Sequence, residues 1–159
     1  KLGIAPDFYK SKDIHVHFPE GAVPKDGPSA GVTVCTAMVS ALTGTSVRRD
    51  VAMTGEISLR GRVMAIGGLK EKTMAALRNG MRTVIIPKDN ERDLEEIDQT
   101  VRAALNFVLV ENVEAVFETA LNRKSSLTAP ILPELTSDGK IKPHKADIGS
   151  EVKYEFPQC

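Results

Sequence analysis

The alternation of apolar and polar residues near the N-terminus predicts an extended segment. In residues 13–18 (DIHVHF), Ile14, Val16 and Phe18 fall on one side and two histidines on the other. This period of two is typical of a strand with one buried face. The following EGAVPKDG is rich in turn-forming residues, so it predicts a loop.

The longest apolar run predicts a helix directly after that loop. The run extends from Pro28 to Leu42, and Gly44 follows as a natural end. Proline suits the first helical position, so the helix is expected to start at Pro28. Because it is apolar on almost every side, it is expected to lie in the centre of the fold.

Strand and helix patterns alternate through the second half. They predict, in order, a strand at 51–54, a hairpin turn at Arg60-Gly61, a helix at 69–79 between Gly67-Gly68 and Gly80, a strand MRTVIIP ended by Pro87, a short helix NERDLEEI capped by Asn90, a strand at 107–110 and a helix capped by Asn112 that ends near Leu121. The predicted fold class is α/β (α+β), a layered mixed sheet with helices and some parallel pairing.

The composition supports one domain followed by a tail. The chain has 159 residues, of which 42% are hydrophobic and 26% charged, as in a soluble globular protein. Residues 1–121 form the predicted domain. In residues 122–159, prolines and glycines are scattered without any period, which predicts an irregular C-terminal tail.

Charge and cysteine content argue against several classes of protein. The 21 basic residues balance the 21 acidic ones, so neither nucleic acid nor an anionic membrane is an expected partner. The apolar run is too short to cross a bilayer. The two cysteines, Cys35 and Cys159, give no disulfide framework, which suits a reducing compartment such as the cytoplasm.

Ser29, in PKDGPSAG, is the first chemical candidate. At the start of a helix, main-chain N–H groups lack helical partners and can hold an anion or a developing oxyanion. A serine there can equally be an ordinary helix cap. A catalytic serine would also need a base, because its hydroxyl is a weak nucleophile until its proton is removed.

The chain offers histidines and lysines as that base. His15, His17 and His144 have no acidic partner evident in the sequence. The sequence also contains no HExxH or CxxC motif, so it does not predict a metal site. In GGLKEKTMAA, Lys70 and Lys72 are the alternatives, since a desolvated lysine loses its charge more readily. Helical periodicity favours Lys70 as the more buried, while both could simply be solvated surface lysines.

The chain resembles the proteolytic domain of Lon, the family of ATP-dependent serine proteases. The resemblance runs from Lys1 to about Leu121 through four stretches in one order: DIHVHFPEGAVPKDGPSAG, VAMTGEISLRGRV, IGGLKEKTMAA and VIIPKDNERDLEEI. It implies a Lon-type fold that lacks the family's first strands here, and peptide-bond hydrolysis through an acyl-enzyme.

The resemblance also implies roles for particular residues. Ser29 would be the nucleophile and Lys72, rather than Lys70, its partner in a Ser-Lys dyad. Thr54 would hold the dyad lysine, Asp26 would be an acidic group near the site, and Ala30 would offer its N–H to the oxyanion. Without the resemblance, Thr54 could be an ordinary strand residue and Asp26 a turn residue.

The wider assembly is implied in the same way. Lon-type domains suggest a homohexamer that degrades unfolded or damaged proteins together with an ATPase module. This chain has no GxxxxGK[ST] motif, so ATP and magnesium are expected only for that separate module, and no cofactor is expected for this chain. The rival interpretation is a phosphate- or nucleotide-binding module of small-molecule-kinase type, in which DGPSAG would hold the phosphate.

Overall fold

The computed structural model describes residues 2–18 and 27–122. Within these ranges the chain forms helices on both faces of a parallel sheet, with a separate antiparallel hairpin. The elements are a short 3-10 turn (Phe8–Lys10), α1 (Gly31–Thr43), β1 (Val51–Met53), β2 (Glu56–Ile57), β3 (Val63–Met64), α2 (Leu69–Arg78), β4 (Thr83–Pro87), a 3-10 segment (Lys88–Glu96), α3 (Gln99–Ala104), β5 (Asn106–Val110) and α4 (Val113–Ala120). The α/β class predicted from the sequence is confirmed.

Strand β4 is the centre of the sheet, whose order is β1-β4-β5 with both pairings parallel. Every residue of β4 is buried, as its continuous apolar run predicts. Its side chains alternate between two apolar clusters: Val84 and Ile86 pack with α2 and α3, and Ile85 packs with α1 and α4. The sheet therefore has a helical layer on each face.

Helix α1 differs from its prediction at its start and in its burial. It begins at Gly31, three residues after Pro28, because the Gly31 N–H closes a turn onto the Pro28 carbonyl and the Val32 N–H bonds outside the helix. One side is buried and the other exposed, so the prediction of a central helix is wrong. Gly44, with φ of 67°, ends the helix as predicted.

The predicted strand at residues 13–18 is also wrong. No strand forms there, and Ile14, Val16 and Phe18 are 42%, 47% and 49% exposed. An alternating sequence forms a strand only when a neighbour accepts its hydrogen bonds and another layer covers its apolar side. Neither partner is present within residues 2–18 and 27–122.

The predictions for the second half hold better. Strands β2 and β3 form the expected hairpin, with Gly61 at φ 81°, and the Asn112 side chain caps α4 by accepting the Ala115 N–H at 3.0 Å. Helix α3, capped by Asp98, was not predicted. Asn90 lies inside the 3-10 segment and does not cap it.

Several predictions lie outside the described residues: the loop acid Asp26, His144 and nearly all of the predicted tail. In the described part of the chain, no helix is long and apolar enough to cross a membrane.

Candidate active site

Ser29 is held by its main chain at the point where α1 meets the loop after β1. Its carbonyl oxygen accepts the Gly55 N–H at 2.9 Å and the Thr54 hydroxyl at 3.1 Å. In return, the Val32 N–H donates to the Gly55 carbonyl at 3.1 Å. The first two bonds fix the peptide that follows Ser29, the third ties α1 to the loop, and none of them uses the serine hydroxyl.

Two glycines permit this close approach of helix and loop. A Cβ atom on Gly31 would lie 2.9 Å from Ile57 Cγ2, and one on Gly55 would lie 2.8 Å from Val63 Cγ1 and 3.1 Å from Val32 Cγ1. Real side chains do not tolerate such contacts without displacement. The absence of a side chain at both positions therefore lets the helix start lie directly against the loop.

Some polar groups at the start of α1 have no hydrogen-bond partner in the described part of the chain. Ser29 is half-buried, and its Oγ makes no hydrogen bond within residues 2–18 and 27–122. In the same ranges the N–H groups of Ser29 and Ala30 also have no acceptor, whereas those of Gly31 and Val32 are used. Ser29 and Ala30 thus supply the amides at this helix start that can still bind an oxyanion.

A groove of about 510 Å³ runs along α1 beside this serine. Its lining residues are Gly27, Pro28, Ala30, Gly31, Val34, Cys35, Met38, Glu56 and Ile57. Ser29 does not line the groove, but the residues on either side of it do. The surface is largely apolar, and burial raises the pKa of the Cys35 thiol.

The structure reverses the predicted burial of the two lysines. Lys70 is exposed and Lys72 is half-buried. The Lys72 amine folds back over the start of α2 and donates to the Gly67 carbonyl at 3.1 Å. Periodicity placed Lys70 nearer the buried stripe because it takes no account of how a long side chain bends toward a polar partner.

The hydrogen bonds expected within the dyad are not formed in this structure. Within the described ranges, Lys72 Nζ bonds neither Ser29 Oγ nor Thr54 Oγ1, and the Thr54 hydroxyl donates to the serine carbonyl instead. Thr54 is therefore bonded to the main chain of Ser29, where the resemblance implied contact with the lysine.

Both halves of the candidate site are nevertheless attached to one edge of the parallel sheet. Thr54, which holds Ser29, follows β1, and its N–H bonds the Ile85 carbonyl of β4. The loop that leads into α2 is bonded at Ile66 by Asn90, which follows β4. Because β1 and β4 are parallel neighbours, both attachments lie at the carboxyl-terminal ends of these two strands.

The other candidates do not join this arrangement. His15 and His17 are exposed, and in residues 2–18 and 27–122 no group of three His, Cys, Asp or Glu side chains could hold a metal ion. Asn90, buried and bonded to the loop before α2, was predicted only as a helix cap, and sequence reasoning missed its bonds to that loop. Its position shortly after the buried strand β4 was the available signal.

The family is settled by comparison of the sequence with known proteins. Residues 1–123 match the family model of the Lon protease (S16) C-terminal proteolytic domain. The chain belongs to the Lon protease family. Membership places it among peptidases, and the matches give no support to the rival interpretation as a phosphate-binding module.

Similar relatives include three bacterial proteins named Lon protease. The chain is 64% identical to that of Vibrio parahaemolyticus over 123 residues, 63% identical to that of Clostridium acetobutylicum over 121, and 54% identical to that of Azospirillum brasilense over 151. The matches cover 77%, 76% and 95% of this chain but only 16%, 16% and 18% of the relatives. The Azospirillum match is long enough to extend into the segment after residue 122.

Proposed function

We propose that this chain is a serine endopeptidase domain in which Ser29 and Lys72 act as a catalytic dyad. The observation that carries the proposal is the Ser29 hydroxyl, which has no partner among the described residues and which the bonds from Gly55 and Thr54 hold beside an apolar groove. Membership in the Lon protease family supports the reaction class.

The proposed reaction begins when neutral Lys72 removes the Ser29 proton. The serine oxygen then attacks the scissile carbonyl carbon, and the N–H groups of Ser29 and Ala30 stabilise the oxyanion. Protonated Lys72 returns the proton to the leaving amine, which gives an acyl-enzyme. Lys72 then takes a proton from the water that attacks the ester, and it returns this proton to the Ser29 oxygen as the acid product leaves.

The mechanism requires one rearrangement. The Lys72 amine is bonded to the Gly67 carbonyl in the free chain, so it must exchange this bond for one to the serine hydroxyl before attack. Catalytic hydrogen bonds often tighten only when substrate is bound. We infer that a peptide in the groove excludes water and favours that exchange.

The wider assembly belongs to the same proposal. From the resemblance to Lon-type domains, we propose that the domain acts in a cytoplasmic homohexamer that degrades unfolded or damaged proteins. An ATPase module of the full-length protein would use ATP and magnesium, while this chain would need no cofactor. Asp26, outside the described residues, would be an acidic group near the site.

Cleavage of a short fluorogenic peptide by the full chain tests the function, because such a substrate needs no unfolding. Ser29→Ala removes one oxygen and should abolish cleavage while leaving the circular dichroism spectrum and the melting temperature unchanged. Ser11→Ala is the matched control and should retain full activity. Normal cleavage by Ser29→Ala would overturn the proposal.

A further inference from the structure

Asn90 makes an unusual set of hydrogen bonds for a residue outside the proposed dyad. Its side chain is almost fully buried, with 2% of the residue exposed. Its Oδ1 accepts the Ile66 N–H at 3.0 Å, and its Nδ2 donates to the Ile66 carbonyl at 2.9 Å. Nδ2 also donates to the Asp93 carboxylate, which fixes the orientation of the amide.

These bonds replace strand pairing for the segment between β3 and α2. The side-chain amide presents the same donor and acceptor as a peptide group, so it binds Ile66 as a neighbouring strand would. Ile66 itself packs against the apolar cluster that includes α2 and α3. The peptides on both sides of Ile66 are therefore fixed in orientation.

The next two residues connect this anchor to Lys72. Gly67 is exposed, and no atom lies within 4 Å of the place where a Cβ would be. Its carbonyl nevertheless accepts the Lys72 amine at 3.1 Å. Gly68 then takes a left-handed conformation, φ 68°, as the residue before α2.

We propose that Asn90 is a positioning residue for the catalytic base: by holding Ile66, it fixes the loop at the start of α2, and with it the position from which the Lys72 amine leaves the Gly67 carbonyl to reach the Ser29 hydroxyl. The inference rests on the proposed function, since Lys72 must be the base. It assigns Asn90 no contact with substrate. Its effect on the reaction passes through the loop Ile66–Gly68.

A purely structural role predicts a different result. Loss of buried hydrogen bonds would lower the free energy of unfolding, and an equal loss elsewhere in the chain would act in the same way. Loss of positioning would lower kcat in the folded protein and leave KM nearly unchanged, because the groove along α1 contains neither Asn90 nor Ile66.

The experiment measures peptide cleavage well below the melting temperature of each variant. Asn90→Leu should lower kcat by about tenfold to a hundredfold, the cost of a displacement of roughly 1 Å, with KM almost unchanged. Asn112→Ala is the matched control, since it also removes an asparagine bond to the main chain, at the start of α4. It should lower stability without lowering kcat.

A double-mutant cycle shows whether the effect passes through Lys72. If it does, Asn90→Leu should slow the modification of Ser29 by a small fluorophosphonate when Lys72 is present. In a Lys72→Arg background, the same substitution should not slow the modification further. If the leucine variant does not fold, Asn90→Asp serves in the same cycle, because it keeps an acceptor for the Ile66 N–H.

The outcomes separate this inference from the proposed function. Unchanged kcat, a rise in KM alone, or additive losses in the cycle would overturn the role of Asn90. Activity retained by Ser29→Ala or Lys72→Arg would overturn the dyad itself.

Discussion

Thr54 holds Ser29 by the serine main chain: its hydroxyl donates to the Ser29 carbonyl at 3.1 Å, and the serine hydroxyl has no partner among the described residues. The same carbonyl accepts the Gly55 N–H. The two donors come from consecutive residues after β1, so the position of the proposed nucleophile is set by the sheet. Substitutions at these two residues should therefore affect both stability and catalysis.

Thr54→Val removes one of the two bonds while keeping the size of a buried side chain. We expect a loss of about 0.5–1.5 kcal/mol in the free energy of unfolding and a fall in kcat of about tenfold, because the serine is held less firmly. Denaturant unfolding and peptide cleavage measure the two effects. Thr54→Ser should restore both.

Thr33→Val is the matched control, since the Thr33 hydroxyl also bonds a main-chain carbonyl, that of Met53, but from the exposed side of α1. It should leave kcat unchanged. Equal losses of kcat in the two valine variants would contradict a specific role for Thr54.

Gly55→Ala tests the close packing of the loop against α1. The new Cβ would meet Val63 Cγ1 at 2.8 Å and Val32 Cγ1 at 3.1 Å, and both valines are buried. We expect a destabilisation of about 1–3 kcal/mol in denaturant unfolding, the usual cost of overpacking a core. Gly67→Ala, which enters open space, should change stability by less than about 0.5 kcal/mol. An unchanged free energy of unfolding in Gly55→Ala would contradict the packing argument.

Cys35 provides a chemical test of the groove. The thiol lines the groove and its pKa is raised by burial, so less of it is thiolate at neutral pH than in a free cysteine. In a Cys159→Ser background, modification by a bulky maleimide should be slow at pH 7 and accelerate as the pH rises. The modified protein should lose most of its peptide cleavage.

A small methylthiolating reagent serves as the control, because a methylthio group on Cys35 leaves most of the groove open. Full activity after complete modification by the maleimide would show that substrates bind elsewhere.

Asp98 gives stability a defined pH dependence. Its carboxylate caps α3 by accepting the Thr100 N–H at 2.8 Å, and this bond lowers its pKa. The cap stabilises the fold fully at pH values above the ordinary pKa of this aspartate in the unfolded chain. This stabilisation is lost as the pH falls through the lower pKa that Asp98 has in the folded chain. Asp98→Ala should therefore lower the melting temperature at pH 7, and the difference from wild type should shrink in acid.

Asp98→Asn separates the charge from the cap. Asparagine keeps an acceptor for the Thr100 N–H, so this variant should retain the cap without titrating. A constant difference between Asp98→Ala and wild type from pH 7 to strong acid would contradict the assignment.

Local rules predicted the elements whose signals lie within a few residues. The buried run of β4, the Arg60-Gly61 turn and the Asn112 cap each depend on their own neighbourhood, and each was found where the sequence places it. The short helix α3 was missed, although Asp98 is an ordinary capping residue.

Predictions that depended on distant partners were less successful. The alternation of residues 13–18 gives no information on whether a neighbouring strand is present. The start of α1 depends on the bond between Val32 and Gly55, which are 23 positions apart. Lys72 is more buried than Lys70 because its flexible side chain reaches an acceptor, the Gly67 carbonyl, that helical periodicity does not reveal. Asn90 was predicted as a cap from its neighbours alone, because its partner Ile66 is remote in sequence and could not be inferred from them.

The central claim is that Lys72 activates Ser29, and the rate of covalent modification of Ser29 tests it most directly. The wild-type chain is treated with a small fluorophosphonate across a range of pH, and peptide mapping by mass spectrometry locates the adduct. The account predicts one adduct, on Ser29, formed faster as the pH rises, strongly slowed in Lys72→Arg and unaffected in Lys70→Arg. An adduct on another residue, or an unchanged rate in Lys72→Arg, would contradict it.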